Sequence, residues 1–227
     1  MKVAALQLCA SDDPVANLAL TLSMVQQASE AGAQFIATPE VTNCVSSSRR
    51  RQTEVLALQE DDQTLAAMCA AAARFGVWIS IGSLALKLPD DDRFTNRSFM
   101  IAPSGQIVAQ YDKIHMFDVT LSETEQYRES DGYRAGDHAV IADIAFAKIG
   151  MTICYDIRFP HLYRRLAKSG ASILLIPAAF AQPTGRAHWK YCCARVRLKR
   201  AVLLSRRHKL VNTKPVREAQ EKPTGTR

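Results

Sequence analysis

Along the first 190 residues the apolar positions switch between a two-residue and a 3.6-residue period, so strands and helices alternate. Val3 to Leu8 is a short apolar run ending at a polar, proline-containing break, and it predicts a strand. From Val15 to Ala31 the residues Leu18, Leu22 and Val25 recur at helical spacing, with Gly32 placed to end the helix. Phe35-Ile36-Ala37 reads as a buried strand that delivers Pro39 and Glu40 at its C-terminal end. Residues 64–75, rich in Ala and Leu, predict a helix stopped by Gly76, and Val77 to Leu84 predicts another strand.

The second half continues the theme. Ser98–Ala102 and Gln106–Tyr111 flank Pro103-Ser104-Gly105, a hairpin signature. Residues 118–137 are polar and irregular, which predicts a long loop. Ala145 to Cys154 reads as strand, Leu162 to Lys168 as helix capped by Gly170, and Ser172 to Ile176 as strand. Buried strands separated by helices indicate an α/β layered domain.

Composition adds limits. With 227 residues, 48% hydrophobic and 22% charged, the chain can bury a sizeable core, and dominant disorder is excluded. No apolar run reaches membrane-span length, and the N-terminus turns acidic before a signal-peptide core could form. A soluble, cytoplasmic protein with reduced thiols is expected, since the six Cys lack metal-ligand spacing. The net charge of +7 arises in the tail: residues 191–227 hold 11 Lys and Arg against 2 Asp and Glu. Residues 1–190 are close to neutral, so the basic balance does not mark that domain as a nucleic-acid binder.

Three polar residues stand at the ends of separate predicted strands: Glu40 after FIATP, Lys113 after IVAQYD and Cys154 after KIGMTI. Strand ends are where α/β folds gather active sites. A thiol can attack a carbonyl carbon, a carboxylate can move protons, and an ammonium can stabilise an oxyanion. There is no metal-binding spacing and no Gly-rich phosphate loop, so no metal and no cofactor are expected. Taken singly, each residue also has an ordinary reading: a small buried hydrophobe, a loop carboxylate, a surface cation.

The surrounding segments resolve the ambiguity. ATPE (37–40), YDKIHMFDV (111–119) and ICYDIRFPHLYRRLAKSGA (153–171) resemble the three catalytic segments of the nitrilase superfamily of carbon–nitrogen hydrolases. NRSFMIAPSG (96–105) and PAAFAQPTGRAHW (177–189) also fit, and KIHMFDV, YRES and CYDIRFP together are most similar to the Nit-type amidases, the deaminated glutathione amidase and omega-amidase group. The resemblance implies a four-layer α-β-β-α sandwich, truncated at the C-terminus, that dimerises in its intact form. It implies that Cys154 is the nucleophile, Glu40 the general base and Lys113 the oxyanion partner. The backbone N–H of Tyr155 would be a second oxyanion donor, and Glu129 in YRES would orient Lys113. Phe180 would line the pocket and His188-Trp189 would cap it. The expected reaction is hydrolysis of an amide bond of a small carboxylate-bearing molecule, with no specific nucleic acid and no membrane as partner. The alternatives are a non-catalytic remnant, or a nitrilase or N-carbamoyl hydrolase.

Other conspicuous residues take structural readings. Arg49-Arg50-Arg51 reads as a solvated basic face and Asp90-Asp91-Asp92 as a turn. His115 reads as a packing or hydrogen-bonding residue, while Asp156 and Arg158 would pair with each other or with nearby backbone to hold the nucleophile turn.

The resemblance stops after Lys190, so residues 1–190 are read as an incomplete hydrolase domain. Residues 191–227 show no strand alternation, which is expected of a non-native tail. Shifting the reading frame by one base from Tyr191 permits VLLRARAIETGC, then Q-T-G, H-E and K-T-Y-G-H-S, the pattern with which family members continue. These residues therefore read as a frameshift product, and their positive charge has no implied binding role.

Overall fold

The structure, a computed structural model, describes residues 1–120, 126–180 and 189–194, together with the backbone of 202–204. The first sheet has the order β1 (Val3–Ala5), β2 (Phe35–Ala37), β3 (Trp78–Lys87), β4 (Phe94–Ile101) and β5 (Ile107–Asp112). Its first three strands are parallel and its last two pairings antiparallel. A separate antiparallel ribbon joins β6 (Asp118–Thr120) to β7 (Gln126–Arg128). The second sheet contains β8 (Val140–Ile144), β9 (Ala147–Met151), β10 (Ile173–Leu175) and β11 (Val202–Leu204), adjacent in reverse chain order.

Strand alternation explains the layering. In the first sheet Phe35 and Met100 join a core cluster with Ala142, Ile149 and Leu174 of the second, so the sheets pack face to face. Their neighbours Ile36, Ile79, Ile81 and Phe99 point the other way and meet Val25, Leu65, Met68 and Ala72. Those last residues belong to α1 (Pro14–Glu30) and α3 (Gln63–Phe75). Both faces of β2 and β3 are largely buried, which is why these strands read as near-continuous apolar runs. Leu162, Tyr163 and Leu166 of α5 (Pro160–Lys168) cover the second sheet. The result is the expected α-β-β-α sandwich.

Local signals set the helix ends. The Asp13 side chain accepts hydrogen bonds from the N–H groups of Val15 and Ala16, and Pro14 opens α1. Asp62 caps α3 through the Leu65 N–H, and Gly76 ends it at φ 63°.

The basic triplet begins a helix, α2 (Arg49–Val55), capped by Ser48; Arg49 and Arg50 are exposed as expected, and the Arg49 guanidinium also lies 3.8 Å from the Phe94 ring centroid at the rim of a cavity. Three expectations are corrected. The predicted loop over 118–137 contains β6, β7 and α4 (Glu129–Gly132). Its strands are polar because they form a ribbon outside both sheets, so they carry no hydrophobic alternation. The predicted strand Ala145–Cys154 is shorter; it follows a turn from β8 and ends at Met151, and Cys154 opens a 3-10 turn, Cys154–Arg158. The tail, expected to lack strands, places Val202–Leu204 parallel to β10. An otherwise open edge of the sheet recruits a short apolar run there.

Candidate active site

Glu40 leaves β2 on a segment held by a bulge in β3, where pairing with β4 shifts between Ile81 and Leu84. At that bulge Gly82 N–H donates to Thr38 Oγ1 (3.0 Å) and Ser83 N–H to Pro39 O (3.2 Å). Val41 N–H donates to Ser83 Oγ (2.8 Å). A Cβ on residue 82 would sit 2.2 Å from Thr38 O and 2.3 Å from Pro39 O, so only glycine lets the strand approach this closely. Val41, next to Glu40, takes φ 45°, a conformation that costs a β-branched residue energy and is held by the surrounding bonds.

Lys113 follows β5, and its backbone N–H donates to Asn96 O of β4 (3.0 Å). The neighbouring Arg97–Asp112 pair, with hydrogen bonds of 2.6 and 2.7 Å, pins the same strand end. Glu129 follows the β6–β7 ribbon, and its Oε2 accepts from Phe117 N–H (2.6 Å). Cys154 sits where β9 turns into the 3-10 segment, at φ 45°, with its N–H donating to Pro177 O (2.8 Å). Its thiol faces the cavity that Glu40 also lines, and the Glu40 carboxylate acts on it.

These four residues, distant in sequence, converge. The Lys113 ammonium donates to Glu40 Oε1 (3.1 Å) and to both oxygens of Glu129 (2.9 Å each). Lys113 is 2% exposed, so this is a desolvated cation held between two carboxylates. Glu40 also accepts from Asn96 Nδ2 (3.0 Å) on Oε1 and from the Ala179 N–H (2.8 Å) on Oε2. All four line one cavity of about 910 Å3, with Tyr155 and Phe180. Tyr155 occupies the first turn of the 3-10 segment, where backbone N–H groups have no intrahelical acceptor. Trp189 packs edge-on against Phe180 at 5.0 Å, while His188 lies outside the described residues.

Residues 2–198 match the carbon-nitrogen hydrolase family. This chain belongs to that family. It is 39% identical over 191 residues to deaminated glutathione amidase of Yersinia enterocolitica, covering 83% of this chain and 66% of that protein. It is 34% identical over 194 residues to nitrilase homolog 2 of Dictyostelium discoideum, covering 83% and 57%. The crystal structure of the C. elegans NitFhit protein superposes with a TM-score of 0.82 at 27% identity, covering 88% of this chain and 50% of that one. The chain thus spans about half to two thirds of the length of these relatives.

The electrostatics of this carbon-nitrogen hydrolase site follow from burial and charge. Burial raises the Cys154 thiol well above its ordinary value, the Glu40 carboxylate pushes the same way, and the nearby Lys113 charge only partly opposes them. Cys154 therefore rests as a thiol rather than a thiolate. Burial disfavours the Lys113 charge, yet Glu40 and Glu129 together outweigh it, and its pKa is raised well above the usual lysine range. Lys113 stays an ammonium.

Sequence reasoning missed Asn96 and the Ala179 N–H, although both lie in segments that carry the family resemblance. Asn looks like any polar strand residue, and a backbone donor leaves no mark in a sequence.

The same shifts predict alkaline instability. Burial, aided by Asp12, also lifts Cys44 from 9.0 to about 11. Cys44, Cys154 and Lys113 all hold protons in the native state that the unfolded chain releases. Their stabilisation is present below the unfolded pKa values and is lost as pH rises through the folded ones. The urea midpoint is expected to fall steadily as pH is raised from about 9 to about 11. A midpoint that holds or rises across that window contradicts the protonation states given above.

Proposed function

We propose that this chain carries the site of a thiol-dependent amidase acting on an amide of a small carboxylate-bearing molecule. One observation carries the reading: a buried ammonium shared by two carboxylates lines the same cavity as a buried thiol. That set is fit for acyl transfer. As Cys154 Sγ attacks the amide carbon, its proton passes to Glu40, and the C=O pair becomes an oxyanion facing Lys113 and the Tyr155 N–H. Collapse of the tetrahedral species breaks the C–N bond, and the amine leaves with the proton from Glu40, giving a thioester. Glu40 then takes a proton from water, hydroxide adds to the thioester, and the carboxylic acid departs as the thiol is regenerated. Glu129 keeps Lys113 charged and aimed. The small-acid preference is supported by relatives named deaminated glutathione amidase.

We also infer that residues 191–227 are translated one base out of frame, because one uniform shift restores a pattern resembling the family across the segment. Both readings are checked together by inserting one base after the Lys190 codon and assaying amine release from deaminated glutathione and from glutamine-like amides. The repaired protein is expected to be cooperatively folded and active on an amide, and the 227-residue chain to keep the fold described above but bind a hydrophobic dye at the apolar sheet surface that the restored segment would cover. Release of product only from nitriles or N-carbamoyl compounds would replace the amidase reading. A monodisperse, fully active 227-residue chain would overturn the frameshift reading.

A further inference from the structure

Tyr111 lies in β5, and Lys113 and His115 lie in the segment that follows it. Lys113 is taken up by Glu40 and Glu129. The residues on either side of it bind a different carboxylate. Tyr111 Oη donates to Asp156 Oδ2 (2.7 Å), while the backbone N–H of His115 (3.1 Å) and its ring Nδ1 (2.7 Å) engage Asp156 Oδ1. The His115 ring also stacks on Phe159, centroids 3.6 Å apart.

Asp156 is fully buried and lies two residues beyond Cys154. Its Oδ2 accepts, besides Tyr111, the N–H of Ile153 (2.8 Å), the residue before Cys154. One carboxylate thus spans the φ 45° nucleophile from both sides in sequence and reaches across to the Lys113 segment. Its bonds to Tyr111 and His115 bridge 45 and 41 residues of chain. Burial, reinforced by the Asp156 charge, raises the Tyr111 pKa, so the phenol remains a donor.

We propose that Asp156 is a positioning residue for the reaction: it clamps the Cys154 turn to the segment bearing Lys113 and so sets the placement of thiol against ammonium. Asp156 touches no reacting atom. It acts through the geometry of two groups that do, where a misplacement near 1 Å costs about a hundredfold in rate. The strained backbone at Cys154 makes the clamp necessary, since a non-glycine residue there relaxes once its restraints are removed. This inference rests on the reading of Cys154 as an activated nucleophile.

The test is site-resolved alkylation of the 227-residue chain by iodoacetamide, followed by mass spectrometry of each cysteine peptide. In that reaction the Cys154 S–C bond forms as iodide leaves and Glu40 accepts the thiol proton. Exposed Cys9 serves as the chemical control, and buried Cys44 reports that the fold is intact. Asp156→Asn, which keeps the shape but removes the charge and turns two donors toward donors, is expected to slow Cys154 at least about tenfold with Cys9 unchanged and Cys44 protected. Tyr111→Phe is expected to slow it about threefold, and the double variant to be no slower than Asp156→Asn alone. If Asp156→Asn exposes Cys44, Tyr111→Phe decides the matter, because it deletes a single oxygen atom. An unchanged or faster Cys154 rate with Cys44 protected overturns the clamp, since loss of a nearby negative charge alone would speed a thiol. If unsubstituted Cys154 is not alkylated at all while Cys9 is, the nucleophile reading itself fails, and the clamp with it.

Discussion

Cys154→Ala is expected to abolish amide hydrolysis in the frame-repaired protein while leaving the fold in place. Both Glu40 and Lys113 act on the Cys154 thiol, whereas the Cys44 thiol on the same cavity is governed by burial and by Asp12. Alanine relieves none of the φ 45° strain but removes just one buried atom, so the unfolding free energy should change by no more than about 1–2 kcal/mol. Cys154→Ser should fail as well. The site leaves its nucleophile protonated until attack, and a hydroxyl gives up that proton to a carboxylate far less readily than a thiol does. By contrast Cys9, Cys44 and Cys69 should accept Ala with hydrolysis retained. Full activity in Cys154→Ala, measured as amine release per folded chain, would end the thioester mechanism.

Glu40→Gln and Lys113→Met should differ in kind. Glu40→Gln keeps the shape and leaves Lys113 paired with Glu129, so the fold should survive while turnover drops by about a hundredfold or more. Lys113→Met removes the oxyanion partner, a loss of about a hundred- to a thousandfold in kcat. It also leaves two buried carboxylates facing each other without their shared cation, a destabilisation of about 3–5 kcal/mol. Chemical denaturation should therefore separate the two variants: little change for Glu40→Gln, a large fall for Lys113→Met. Turnover must be normalised to folded protein. Should Lys113→Met raise KM alone with kcat unchanged, Lys113 is a substrate clamp rather than a transition-state partner.

Much of this was legible in the sequence. Period-two and period-3.6 apolar patterns located α1, α3, α5 and most strands, because secondary structure in a buried sandwich must present apolar residues at fixed spacing to its layers. The same patterns put Glu40, Lys113 and Cys154 at strand ends, and the motifs around them matched the family to which the chain belongs. These are local properties, recorded residue by residue.

What the tertiary structure decided is how the polar groups are shared. Glu129 rides on a polar ribbon with no apolar period, so its strands read as loop. Arg49 is exposed as its sequence suggests, but nothing local announces that Phe94 lies beneath it. The Ala179 N–H meets Glu40 across 139 residues, and Lys113 meets Glu40 across 73. Asp156 looked like a local partner of its own turn, yet its carboxylate is bonded also to a strand more than 40 residues earlier. Hydrogen bonds between buried polar groups are made wherever the packed layers bring a donor to an acceptor, and that meeting has no period in the sequence. The chain itself specified which chemical groups stand at the strand ends; only the stacking of two sheets determined which of them share a proton.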